Sequence, residues 1–314
     1  MTGVRPDQFA PVAVTTRSGL RESVHHAAVV GLHPDGSVAF AIGDPHVTIY
    51  PRSSNKPMQA HALVELGWAP TDEQLAVACA SHAGTPRHVD VVESILTDAG
   101  LSVADLANTP ALPLDTEAAY AVLRAGDAPS ALLQNCSGKH AAMLATCAVN
   151  GWAPAEYLAD DHPVQRAITA GYADLTGQAA GSVHVGVDGC GAPTHAASLA
   201  GTAAAYGRLA AARGAVWRAM SSHPDLVDGE GRVVTRMMQA VPGLMAKIGA
   251  EGVFAAGLPD GRAVAVKVAD GTSRAVGAVT AAALRRLGVG LDPADFADPI
   301  LGHGHPVGAV ELLF

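Results

Sequence analysis

Ser53 and Lys56 stand three residues apart in the segment Arg52-Ser53-Ser54-Asn55-Lys56-Pro57. If a helix includes both, their side chains share a face one turn apart. There a lysine held as the free amine can take the serine proton and make the hydroxyl a nucleophile. Four residues make a common pattern, and the plain alternative is a helix cap followed by a surface lysine. What strengthens the reading is scarcity. The 314 residues contain only four lysines against sixteen arginines. Three of the four lie in distinctive segments: Lys56, Lys139 in Asn135-Cys136-Ser137-Gly138-Lys139-His140, and Lys267 in Ala265-Val266-Lys267-Val268. Burial and neighbouring charge can strip the proton from lysine but not from arginine. A drift in composition explains the scarcity, but not the positions.

A second group joins Cys136 and Lys139 to Asp188-Gly189-Cys190-Gly191-Ala192-Pro193-Thr194. Glycines around cysteine and aspartate mark a tight backbone whose N–H groups can point at a ligand. Two thiols could share a zinc ion, with His140 or a neutral Lys139 as third donor. Two buried structural thiols are the bland alternative. Other motifs fail: Gly138-Lys139 lacks both the leading glycine and the Ser/Thr of a phosphate loop. There is no dinucleotide fingerprint, no His-Glu-x-x-His and no Cys-x-x-Cys.

Composition limits the function classes. Apolar residues make up 49% of the chain, charged residues 16%, and the formal net charge is -9. That describes an enzyme-like core and argues against nucleic acid or an anionic membrane as partner. Residues 1–14 hold no apolar run of signal-peptide length, and no stretch is long enough to span a membrane. Four cysteines do not read as a disulfide framework, so a cytoplasmic protein with reduced thiols is expected.

The elements that must hold these groups follow from pattern. Residues 12–16, 26–32 and 37–42 read as strands, with Pro34-Asp35-Gly36 as a hairpin signal. Residues 252–257 and 263–268 repeat this around Pro259-Asp260-Gly261, and 308–313 could add a last strand. The middle reads as helix over 58–66, 140–149, 163–175 and 194–212, and 273–287 does so near the end. Another helix starts at Thr85-Pro86 and stops at Gly100. The expected fold class is α/β (α+β), an antiparallel sheet built from both chain ends with a helical insertion. Residues 10–314 then form a single catalytic unit, with 10–68 and 195–314 as its α/β part. Residues 69–194 form the mainly helical part carrying Cys136, Lys139 and Cys190.

Taken in order, these segments resemble the asparaginase II family, the class 3 or Rhizobium-type L-asparaginases. The resemblance rests on the Ser53–Lys56 and Cys136–Lys139 segments, on Ala80-Ser81-His82-Ala83-Gly84-Thr85-Pro86-Arg87-His88, and on Asp188–Thr194. Thr16-Arg17-Ser18-Gly19-Leu20 and Lys267-Val268 extend it over roughly residues 13 to 275. It implies a fold like that of serine β-lactamases and glutaminases, and an amidohydrolase that releases ammonia from L-asparagine through a serine acyl-enzyme. By motif, Ser53 with Lys56 and Ser81 with Lys267 are the two Ser-Lys pairs. Cys136, Lys139 and Cys190 are zinc ligands, and Arg52, His140 and Asp188 are substrate contacts. The family also implies a homodimer. Met58, Ala142 and His195 depart from its usual residues without removing a reacting group. A penicillin-interacting hydrolase shares Ser-x-x-Lys, but Val268-Ala269 follows Lys267 where Thr-Gly is expected. A non-catalytic zinc- or amino-acid-binding protein is the alternative from another class.

Overall fold

The computed structural model describes residues 3–179 and 181–314. The chain divides into two compact units. One comprises the chain up to Ser54, Ala196–Ala212 and Met237–Phe314, and the other comprises Asn55–His195 and Arg213–Arg236.

The first unit is built on a seven-stranded antiparallel sheet drawn from both chain ends. Its path runs Val310–Leu312, Ala10–Arg17, Leu20–Leu32, Ala263–Val268, Val253–Gly257 and Met245–Gly249. Leu20–Leu32 is long enough to pair twice along one edge, first with Ala10–Arg17 and then with Val38–Ile42. Its other edge pairs with Ala263–Val268, which places Lys267 opposite Ala28. Every residue of Ala263–Val268 is buried, so the strand reads as a continuous apolar run broken only by Lys267. The helices Leu199–Ala212 and Val276–Arg286 pack against these central strands. Gly257 and Gly207 let the first of them come close: a Cβ at Gly257 would stand 2.3 Å from the Tyr206 carbonyl oxygen.

The second unit is mainly helical. Ser137–Asn150 is its centre, buried without interruption from Ser137 to Cys147. Lys56–Glu65, Asp72–Ala78 and Pro86–Asp98 pack around it. The Thr85-Pro86 start holds, although the Thr85 hydroxyl pairs with His88 Nδ1 and not with a backbone N–H. Thr71 and Gln74 form a reciprocal capping box, and Pro86 occupies the first turn behind Thr85. One element differs from expectation. The stretch 194–212 is helical only from Leu199, because Pro193–His195 pairs with Val185–Val187 and Ala197–Ser198 pairs with Thr48–Ile49. Backbone pairing overrides the helical periodicity of the early residues there. Among the described residues no helix is long and apolar enough to cross a membrane.

Candidate active site

All four lysines are buried. Lys56 is 1% exposed, Lys139 3%, Lys247 0% and Lys267 8%. The scarcity seen in the sequence is thus an exclusion of lysine from the solvated surface. Lys247 is the one that motif reading passed over. It sits on the strand Met245–Gly249, where its backbone carbonyl accepts the Ser54 hydroxyl at 3.0 Å.

Within the helical unit, Lys56 is the first residue of Lys56–Glu65. Its Nζ donates to the Ala80 carbonyl, to Ser81 Oγ at 3.2 Å and to the Asn135 carbonyl at 3.4 Å. The structure therefore brings together Lys56 and Ser81, 25 residues apart in sequence. The three-residue spacing of Ser53 and Lys56 does not disclose that contact. Ser81 is fixed from its backbone as well, since its N–H donates to the Val227 carbonyl at 3.1 Å. The next residue, His82, is fully buried, with Nε2 2.8 Å from Ser137 Oγ and its ring stacked on His88 at 5.3 Å. Burial, then the neighbouring His88 and Lys56, hold the His82 imidazole well below the usual histidine range.

Cys136 ends the loop that leads into Ser137–Asn150, and Lys139 lies one turn into that helix. Gly138 between them is required by space. A Cβ there would stand 2.4 Å from the Val77 carbonyl oxygen. Cys190 comes from the tip of the Val185–Val187/Pro193–His195 hairpin and buries beside Cys136 and Ala192. Lys139 Nζ donates to Cys190 Sγ at 3.2 Å. The hydrogen bond from Cys190 drives the Cys136 thiol well below its ordinary range, with help from the charges of Lys56 and Lys139 against burial. The same bond, followed by burial, pushes Cys190 up. Burial pulls Lys139 down, but Cys190, Cys136 and Asp188 together hold it above its ordinary value as an ammonium ion. Asp188 closes the hairpin tip: its N–H donates to the Ala192 carbonyl at 2.9 Å, and its carboxylate accepts the Gly189 N–H at 2.8 Å.

Two sulfurs and one nitrogen meeting at a buried point suit zinc once the thiols and the Lys139 ammonium give up their protons. Among the described residues no cluster of three or more His, Cys, Asp or Glu side chains gathers in ligating range. A metal here would thus need Lys139 as its third protein donor. His140 Nδ1 is already taken, lying 2.7 Å from the Tyr157 hydroxyl. His140 is itself fully buried, and burial, then Lys139 and Lys56, hold it well below the usual histidine range.

The remaining candidates belong to the sheet unit. Ser53 is half-buried in the 3-10 turn Arg52–Asn55. Arg52 opens that turn with φ +54°, a left-handed conformation uncommon for a residue with a side chain. Its guanidinium lies 4.0 Å from the Glu251 carboxylate. Lys267 Nζ donates to the Glu251 carbonyl at 2.7 Å and to the Val268 carbonyl. Burial lowers its pKa from the usual lysine value, against the opposing charges of Glu251 and Asp270.

The family profile described as L-asparaginase II matches residues 13–312, and the chain belongs to this asparaginase II family. It is accordingly an amidohydrolase of the asparaginase type. Among solved structures it is similar to a β-lactamase from Mycobacterium bovis, at 15% identity and a TM-score of 0.36. That match covers 84% of this chain and 95% of the other. No curated protein matches.

Proposed function

We propose that the protein hydrolyses L-asparagine to L-aspartate and ammonia through a serine acyl-enzyme served by lysine bases. The observation that carries this reading is the buried hydrogen bond between Lys56 Nζ and Ser81 Oγ, in a chain of the asparaginase II family. The Ser53 hydroxyl attacks the side-chain carboxamide carbon, and its proton passes to Lys56. Backbone N–H groups, that of Ser53 included, meet the developing oxyanion. Collapse breaks the C–N bond, and protonated Lys56 returns the proton that lets ammonia leave. Lys267 with Ser81, as a free-amine pair, is the base for the water that follows. Water then opens the β-aspartyl ester and regenerates the serine. Arg52, His140 and Asp188 bind the amino-acid end of the substrate.

Cys136, Lys139 and Cys190 would hold a zinc ion, and their donor set supports that assignment. When bound, zinc supplies a fixed positive centre that stiffens the hairpin tip carrying Asp188 and the start of the helix carrying His140. Assembly as a cytoplasmic homodimer belongs to the same reading on the strength of the family likeness. Light scattering on the purified protein tests the dimer.

The Lys56–Ser81 bond favours a second reading, in which Ser81 makes the attack. Rapid acid quench during turnover, followed by peptide mapping, separates the two. An aspartyl ester on the Ser53 peptide supports the first reading, and one on the Ser81 peptide supports the second. Absence of any covalent adduct under burst conditions would remove both.

A further inference from the structure

His140 carries a hydrogen-bonding imbalance that assigns a role to Tyr157. The two rings meet edge to face, 5.7 Å between centroids and 83° between planes. The Tyr157 hydroxyl lies 2.7 Å from His140 Nδ1 and also accepts the Ala107 N–H at 3.2 Å. Tyr157 is 1% exposed, and its own carbonyl accepts the Gln165 side-chain amide at 2.8 Å. The hydroxyl is therefore held from two sides in a dry setting. The other ring nitrogen, His140 Nε2, is buried without a hydrogen-bond partner.

Two arrangements are open to the pair. In one, the Tyr157 O–H donates to a bare Nδ1, and the only unpaired group is an N–H on Nε2. In the other, Nδ1–H donates to the tyrosine oxygen. That leaves the tyrosine proton with no acceptor and Nε2 with no donor. Each buried polar group left unpaired costs on the order of 1–3 kcal/mol, so the arrangement with one orphan prevails over the arrangement with two. A doubly protonated ring would also carry its free proton on Nε2, with the tyrosine proton again unpaired.

We infer that Tyr157 is a positioning residue that fixes His140 with its proton on Nε2, so that the imidazole presents a single N–H donor to an oxygen of the amino-acid substrate. This rests on the reading of His140 as a substrate contact, and it adds the polarity of that contact. The group recognised is an acceptor, a carboxylate or carbonyl oxygen, and not the substrate ammonium.

The test uses the full-length protein labelled with ¹⁵N-histidine, the His140 ring signals being assigned with His140→Gln. Long-range proton–nitrogen correlation of the unliganded wild type should show Nε2 protonated and Nδ1 bare. The opposite tautomer overturns the inference. Saturation with L-aspartate should shift the Nε2–H proton, and an unmoved signal overturns the claim that it meets a substrate oxygen. In Tyr157→Phe the single tautomer should give way to a mixture. The KM for L-asparagine should rise about tenfold while kcat changes less than about threefold, as for a lost ground-state hydrogen bond. A variant with the wild-type tautomer and KM refutes the role of Tyr157. If Tyr157→Phe does not fold, the two wild-type spectra still decide. If the enzyme releases no ammonia from asparagine, the proposed reaction fails, while the tautomer measurement still judges Tyr157.

Discussion

Lys56 makes three buried hydrogen bonds through its one side-chain nitrogen, two of them to backbone carbonyls and one to Ser81. Lys56→Met keeps the bulk and removes the donor and the base. It should lower kcat by a factor of about a hundred or more, the usual contribution of a positioned proton transfer. Loss of less than tenfold in a steady-state assay would take Lys56 out of the chemistry. Lys267 offers a different handle. Burial lowers its pKa and Glu251 works against that fall, so removing the acidic partner must lower it further. If Lys267 acts as a free amine, activity rises with pH as it loses its proton. In Glu251→Gln that rise should move toward lower pH. A pH–rate profile of the variant displaced to higher pH contradicts the role of Lys267 as a base. Cys136→Ser weakens the donor set without touching either serine. It should raise KM more than it lowers kcat, and a collapse of kcat at unchanged KM argues against a supporting role.

At the scale of elements, the start of Ser137–Asn150 decides the geometry of the thiol–lysine cluster. Gly138→Ala would drive a methyl group into the Val77 carbonyl, which belongs to the backbone of a packed helix and cannot simply turn away. The variant should lose roughly 2–4 kcal/mol of stability, measured by denaturant unfolding, with zinc content falling alongside. The motifs made this helix legible in the sequence, as they did the two hairpins around Pro34-Asp35-Gly36 and Pro259-Asp260-Gly261. Their turn chemistry and apolar runs are local signals. The hairpin Val185–Val187/Pro193–His195 was not legible, because three-residue strands with a glycine-rich tip carry no period of their own. The helix Thr116–Ala125, which has no buried residue, escaped as well. The Lys56–Ser81 contact and the Tyr157–His140 pair escaped for a related reason. Each joins segments distant in sequence, and Tyr157 lies in a loop with no motif around it. Lys247 was passed over because it stands alone, although its burial follows the same exclusion as the other three.

Over the whole molecule, buried neutral imidazoles set the response to acid. His195 is held down to about 4 by burial and then by Lys139, while His82 and His88 are lowered mainly by burial. In the unfolded chain each takes up its proton near pH 6.5. As the pH falls below that value, the unfolded state binds protons that the native state refuses. Stability is therefore fully present above about pH 6.5 and drains away toward about pH 4, by on the order of 3 kcal/mol for His195 alone. Urea unfolding at pH 7 and pH 5 should show the loss, and His195→Gln should make the slope shallower. A stability that holds level over this interval would mean that these rings are already protonated or reach water.

The most direct test of the central claim is ammonia release by the purified wild type and by Ser53→Ala, with L-asparagine and L-glutamine offered separately from neutral to alkaline pH. The account predicts release from asparagine that rises with pH in the wild type and falls by at least about a hundredfold in the variant. Equal release by wild type and Ser53→Ala, or none from asparagine by a folded, zinc-loaded wild type, would contradict it.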